Sequence, residues 1–206
     1  MFRYDSPFMR FMALVTNLML LNLLWLVTSL PIITLGASTT AMYHVVFQYV
    51  TKQDDTLIKP FFKSFKENFK QATLLWIPHG LIGLALVAEY SYLTVNGSGA
   101  IWWLIFAVFA VVYLLISSML YPMLARYENT TKAIVFNSIN LSVRNFMPML
   151  STVILNAAPV ALILIDYEAF LHTALFWTFG GISLIAYLNG ILIMRIFKRY
   201  ELPQEE

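Results

Sequence analysis

Residues able to do chemistry are scattered in this chain. His44, His79 and His172 fall in three separate apolar stretches, without the spacing that brings metal ligands together. The chain has no cysteine, which removes thiolate nucleophiles, disulfides and zinc–thiolate sites. No G-x-x-x-x-G-K-[ST] loop for a nucleotide occurs, and no H-E-x-x-H or G-x-S-x-G. The reading is of a chain that is not an enzyme and holds no cofactor or metal. Any energy coupling has to come from an ion gradient or from another protein.

Two segments carry the chemistry of recognition instead. The first is Leu30-Pro31-Ile32-Ile33-Thr34-Leu35-Gly36-Ala37-Ser38-Thr39-Thr40-Ala41. Pro31 and Gly36 make an unbroken helix through it questionable. If regular helix begins near Ala37, Ile32–Gly36 is extended, and such backbone persists in a membrane only under cover of protein or water. A shortened, Gly/Pro-interrupted span is a pointer to a transport site, where Ser38, Thr39 and backbone N–H groups would face hydroxyls or an anion. The competing reading is helix packing. Gly36-x-x-x-Thr40 and Ala37-x-x-x-Ala41 are small-xxx-small pairs that let backbones approach. Pro31, Gly36, Ser38, Thr39 and Thr40 are therefore candidates for either role.

The second segment is Lys59-Pro60-Phe61-Phe62-Lys63-Ser64-Phe65-Lys66-Glu67-Asn68-Phe69-Lys70. On a helix, Phe61, Phe62, Phe65 and Phe69 fall within about 100° of arc, and Lys59, Lys63, Lys66, Lys70 and Glu67 fall opposite. One reading lays it on the cytoplasmic membrane surface, with phenylalanines in the acyl boundary and lysines toward anionic headgroups. The other docks its exposed face on a cytoplasmic partner such as an ATPase, as a coupling helix does.

The elements that position these segments follow from composition. Of the 206 residues, 60% are hydrophobic and 12% charged, against about 45–50% and about 25% in soluble domains. Such a chain needs lipid as part of its solvent. The net charge of +2 argues against nucleic acid as a partner. Stretches long enough for a hydrocarbon core of about 30 Å cover 11–30, 32–50, 72–93, 100–124, 147–165 and 170–194. The first is read as a retained span and not a signal peptide, because Asp5, Ser6 and Pro7 precede it. A second, weaker amphipathic segment covers 133–146, with Val135, Phe136, Ile139, Val143 and Phe146 on one face.

The expected fold is all-α: a single polytopic membrane domain over 1–206, with about six transmembrane helices and two cytoplasmic amphipathic helices. Six spans place Arg3, Arg10, Lys52, Lys59, Lys63, Lys66, Lys70, Arg126, Lys132, Arg144, Arg195, Lys198 and Arg199 on one side. Those are all 13 Lys and Arg residues. By the positive-inside rule that side is cytoplasmic, and both termini lie there.

Several of these blocks together resemble the YesL family of bacterial membrane proteins. They are Asn22-x-x-Trp25, Leu30-Pro31, Gly36-Ala37-Ser38-Thr39-Thr40-Ala41 and Phe62-Lys63-Ser64-Phe65-Lys66-x-Asn68-Phe69-Lys70-Gln71-Ala72-Thr73. The resemblance is dense from Asn22 to Trp76 and rests on span pattern beyond it. It implies a cytoplasmic-membrane protein whose relatives' genes accompany oligosaccharide ABC uptake systems, and it supplies no catalytic residues. The implied role is a non-enzymatic accessory to carbohydrate uptake, with the bilayer and an ABC permease or ATPase subunit as partners. The alternatives are an autonomous small-solute transporter, or a membrane scaffold or sensor for a signalling system.

Overall fold

The structure, a computed structural model, describes residues 7–51 and 56–201. Arg3 and Lys52, two of the residues in the charge argument, lie outside the described residues. The described residues are helical nearly throughout. The elements are α1 (Pro7–Ser29), a 3-10 turn (Ile32–Thr34), α2 (Leu35–Val50), α3 (Ile58–Val95), α4 (Ala100–Arg126), α5 (Thr131–Arg144) and α6 (Phe146–Ile165). Then come α7 (Tyr167–His172), α8 (Ala174–Phe176), a π-helical turn (Trp177–Gly181) and α9 (Ile182–Glu201). Five stretches among them are long and apolar enough to cross a membrane: Phe8–Ser29, Ile58–Val95, Ala100–Arg126, Phe146–Ile163 and Ala174–Glu201. This is the architecture of a polytopic membrane protein.

Three expectations change. Segments 59–70 and 72–93 are not two elements but one 38-residue helix, α3. Nothing between Lys70 and Ala72 breaks the backbone; hydropathy changes there while helix propensity does not. At 1.5 Å per residue α3 is about 57 Å long, nearly twice a hydrocarbon core of about 30 Å.

The stretch 32–50 is likewise not a full-length span. Ile32–Gly36 is not extended: a 3-10 turn closes through Thr34 N–H to Pro31 O at 2.8 Å, and regular helix starts at Leu35. The 16 residues of α2 reach only about 24 Å. Thirdly, 170–194 is not one uniform helix. Asp166 caps α7 by accepting the Ala169 N–H at 2.9 Å, and the chain then passes through α8 and the π turn before α9.

α2 is the centre of the bundle. A short connection joins Val50 to Ile58, and Gly36 at its other end lies on Ala72 and Trp76, so α2 runs antiparallel along the first half of α3. A Cβ on Gly36 would stand 2.6 Å from the Ala72 carbonyl oxygen and 2.8 Å from the Trp76 Cβ. On the other side Gly190 of α9 leaves room for the Val46 side chain. The core gathers here: Phe47, Phe61, Met119, Ile134, Ile193 and Phe197 are all buried. Beyond it α3 and α4 continue as an apolar hairpin, with Leu81, Leu84, Val87, Leu104, Val108 and Phe109 exposed. That exposure is what a lipid-facing surface requires.

α5 packs with its small polar side inward. Ile134, Ser138 and Ser142 are buried against the bundle, and Ser142 Oγ donates to Leu115 O of α4 at 3.1 Å. Phe136 and Val143, 68% and 67% exposed, point away from the protein.

The small-residue seam, the buried amides and the lysine row

The candidate residues of the first segment are engaged in packing and local hydrogen bonds. Ser38 Oγ donates to Thr34 O at 3.1 Å, and Thr40 Oγ1 donates to Gly36 O at 2.8 Å. Both satisfy backbone carbonyls one turn back. Thr39 Oγ1 accepts the indole N–H of Trp25 at 3.1 Å, which ties α1 to α2. Pro31 is exposed at the head of the 3-10 turn. Gly36 sits at the closest approach of α2 and α3.

Two buried amide clusters hold the helices in register. Asn22 Nδ2 donates to Trp177 O at 3.0 Å and Thr178 O at 2.7 Å, and Asn22 Oδ1 accepts the Ser183 N–H at 2.9 Å. Ser183 Oγ returns a bond to Leu18 O at 2.7 Å. Asn22 thereby ties α1 to the carbonyls of the π turn and to the start of α9. In the second cluster Asn189 Nδ2 donates to Asn156 Oδ1, and Asn156 Nδ2 donates to Ser118 Oγ, each at 2.8 Å. Asn189 also reaches the Tyr43 hydroxyl at 3.4 Å. The set joins α2, α4, α6 and α9. Asn22, Asn156 and Asn189 stand as amides within the apolar stretches 11–30, 147–165 and 170–194. No short-range pattern announces Ser118 or the π turn as their partners.

The histidines are hydrogen-bonded singly. His44 Nδ1 lies 3.2 Å from Ala125 O, a pure acceptor, so that nitrogen carries the proton; its Nε2 then accepts from Gln48 Nε2 at 3.2 Å. His79 stacks on Tyr113 with ring centroids 4.5 Å apart and meets Ser117 Oγ at 3.1 Å. Among the described residues, no three histidine or carboxylate side chains lie close enough to hold a metal ion.

In the second segment the phenylalanines divide. Phe61 is fully buried, in the protein core and not in lipid. Phe65 is half-buried beside it, while Phe62 and Phe69 are 39% and 38% exposed. The rings form a row along α3, with Phe61–Phe65 centroids at 6.5 Å and Phe65–Phe69 at 5.7 Å. Lys59, Lys63, Lys66 and Lys70 are all exposed on the other side. Lys63 meets Glu67 at 4.0 Å, an exposed helical pair worth little.

The end of α4 meets the end of α9 nearby. Arg126 grips Glu201 with two hydrogen bonds, Nε to Oε1 at 2.7 Å and Nη2 to Oε2 at 2.9 Å, and Tyr127 Oη donates to the same Oε1 at 2.6 Å. The Arg126 hydrogen bond holds the Glu201 carboxyl below its ordinary range. Partial burial, then the bond to Glu201, pushes Tyr127 up to about 12. Gln71 Nε2 donates to Asn129 O at 2.8 Å, so the lysine row and the ends of α4 and α9 share one end of the molecule.

Residues 18–90 match the model of a family described as "Protein of unknown function, DUF624". Over that stretch the chain is similar to this family. The matched region contains Asn22, the Trp25–Thr39 tie, the Gly36 seam and the whole lysine row. It also contains every block that carries the YesL resemblance. No curated protein and no solved structure matches the chain.

Proposed function

We propose that this chain is a non-enzymatic accessory protein of the bacterial cytoplasmic membrane that assists an oligosaccharide ABC importer. It docks the importer's permease or ATPase subunit through the lysine row of α3. The single observation that supports this is the division of the 59–70 stretch. Phe61 fixes the stretch to α2 while Lys59, Lys63, Lys66 and Lys70 stay exposed in a row. A rigid row of four lysines with one glutamate among them stays net positive, and such a row steers and orients an acidic partner surface. The family match over 18–90 and the five apolar helices are consistent with a membrane accessory role.

In this reading the lysine-bearing end faces the cytoplasm, because basic residues are retained on that side. Both termini lie there too, because α2, though shorter than a full span, runs antiparallel to α3 and returns the chain to the lysine-bearing end. The small-residue segment serves packing, and the bound sugar is handled by the importer. The test is uptake of a labelled oligosaccharide by cells lacking this chain. Uptake falls when the gene is deleted, returns with the wild type, and does not return with Lys63, Lys66 and Lys70 all changed to glutamine. Unchanged uptake in the deletion strain contradicts the proposal.

A further inference from the structure

The α3–α4 hairpin encloses a cleft of about 600 Å³ whose walls are almost wholly apolar. Small residues build it. Gly80 and Gly83 lie about one turn apart on α3, and Ala110 lies on α4 among the same walls. A Cβ on Gly83 would stand 2.6 Å from the Tyr113 hydroxyl, so that glycine lets the Tyr113 ring lie across α3. A Cβ on Gly80 would meet nothing closer than the Trp76 ring at 3.4 Å, an ordinary contact. The space beside Gly80 is open because no side chain fills it, not because a neighbour forbids one.

The cleft is open to the surface of the hairpin and in the size range of ligand pockets, so its occupant comes from the surroundings of the hairpin. Water is a poor occupant, since a buried water needs two to four polar partners and apolar cavities stay dry. The occupant is therefore apolar. Exposed Leu81, Leu84 and Val87 line the cleft and belong to the surface of α3 that faces hydrocarbon. The cleft is continuous with that lipid-facing surface, and the bilayer supplies one apolar molecule of matching width, the acyl chain. We propose that the cleft is a binding site for an acyl chain of a bilayer lipid, held between Gly80, Gly83 and Ala110 and the rings of Trp76, Phe106 and Tyr113. The site is separate from the lysine row and does not depend on the docking reading.

The experiment is native mass spectrometry of the full chain after reconstitution in vesicles of dioleoylphosphatidylcholine and dioleoylphosphatidylglycerol and detergent washing. The wild type retains one lipid per chain. The doubly filled variant Gly80→Leu, Ala110→Leu retains at least tenfold less, and Leu20→Phe, on the exposed face of α1, retains as much as wild type. A wild type that strips bare under the same washing overturns the proposal, as does a filled variant that keeps its lipid. A second measurement leaves the packing intact. The photoreactive residue p-benzoylphenylalanine, placed at position 106, is illuminated in the same vesicles. A covalent adduct of phospholipid mass supports the site; cross-links to another protein or a second copy, with no lipid adduct, show that a protein closes the cleft and overturn it.

Discussion

Asn22 of α1 holds Ser183 of α9 across the bundle: the Ser183 N–H donates to Oδ1 of the fully buried Asn22 side chain at 2.9 Å. The same amide donates to Trp177 O and Thr178 O. Asn22→Leu removes three hydrogen bonds to backbone, one of them to the buried Ser183. Each buried unsatisfied group costs about 1–3 kcal/mol, so Asn22→Leu should be the most destabilising of the amide substitutions. Thermal unfolding in detergent checks this. Asn156→Ala, whose partners are side chains, should lower the midpoint less.

Gly36→Ala tests the seam between α2 and α3. A Cβ there would overlap the Ala72 carbonyl, and backbone cannot yield as a flexible side chain does. Overpacking of this kind costs about 1–3 kcal/mol. Gly80→Ala, where contact is ordinary, should leave the unfolding midpoint unchanged. If the two behave alike, Gly36 is not at a close helix crossing.

Phe61 and Phe69 should separate sharply. Phe61 is fully buried, and truncating such a ring costs about 3–5 kcal/mol. Phe69→Ala removes a ring already 38% exposed and should cost a fraction of that. The measurement is the fraction of monodisperse protein recovered after heating. Equal losses would mean that the phenylalanine row lies in lipid, as the sequence alone had one reading place it.

The Arg126–Glu201–Tyr127 clamp sets a pH dependence. The folded Glu201 carboxyl lies below its ordinary 4.5, so its contribution is present above that pH and is lost as pH falls through the lower folded value. Tyr127 works in the opposite sense. Raised to about 12, it contributes fully below 10 and loses its contribution as pH climbs through 12. The clamp is partly exposed, and exposed pairs are worth about 0.2–1 kcal/mol. Glu201→Gln should therefore lower the unfolding midpoint slightly at pH 7 and converge on the wild type as pH falls below 4.5, which flattens the acid limb.

The apolar helices were legible in the sequence because hydrocarbon solvent imposes length and composition. The expected spans 11–30, 100–124 and 147–165 agree with α1, α4 and α6 to within a few residues. Where hydropathy and backbone diverge, the reading failed. Lys70 ends an amphipathic face but not a helix, so α3 was divided in two. Gly36 sits one residue into α2 and was read as a break, whereas its role in the structure is close approach. Asn22 was visible as a buried amide, but its partners are backbone atoms more than 150 residues away, and only tertiary structure reveals them. For the lysine row, helical spacing alone separated the two faces. It could not say that the phenylalanine side would turn toward protein, because a buried core and a lipid tail are equally apolar.

The central claim is that this chain is a docked accessory of an importer, and co-purification tests it most directly. The chain is isolated in mild detergent from cells induced with an oligosaccharide, and its companions are identified by mass spectrometry. The account predicts that ABC permease or ATPase subunits come with the wild type and are depleted when Lys63, Lys66 and Lys70 are changed to glutamine, while the variant stays folded. Recovery of the wild type without any importer subunit under induction would contradict it.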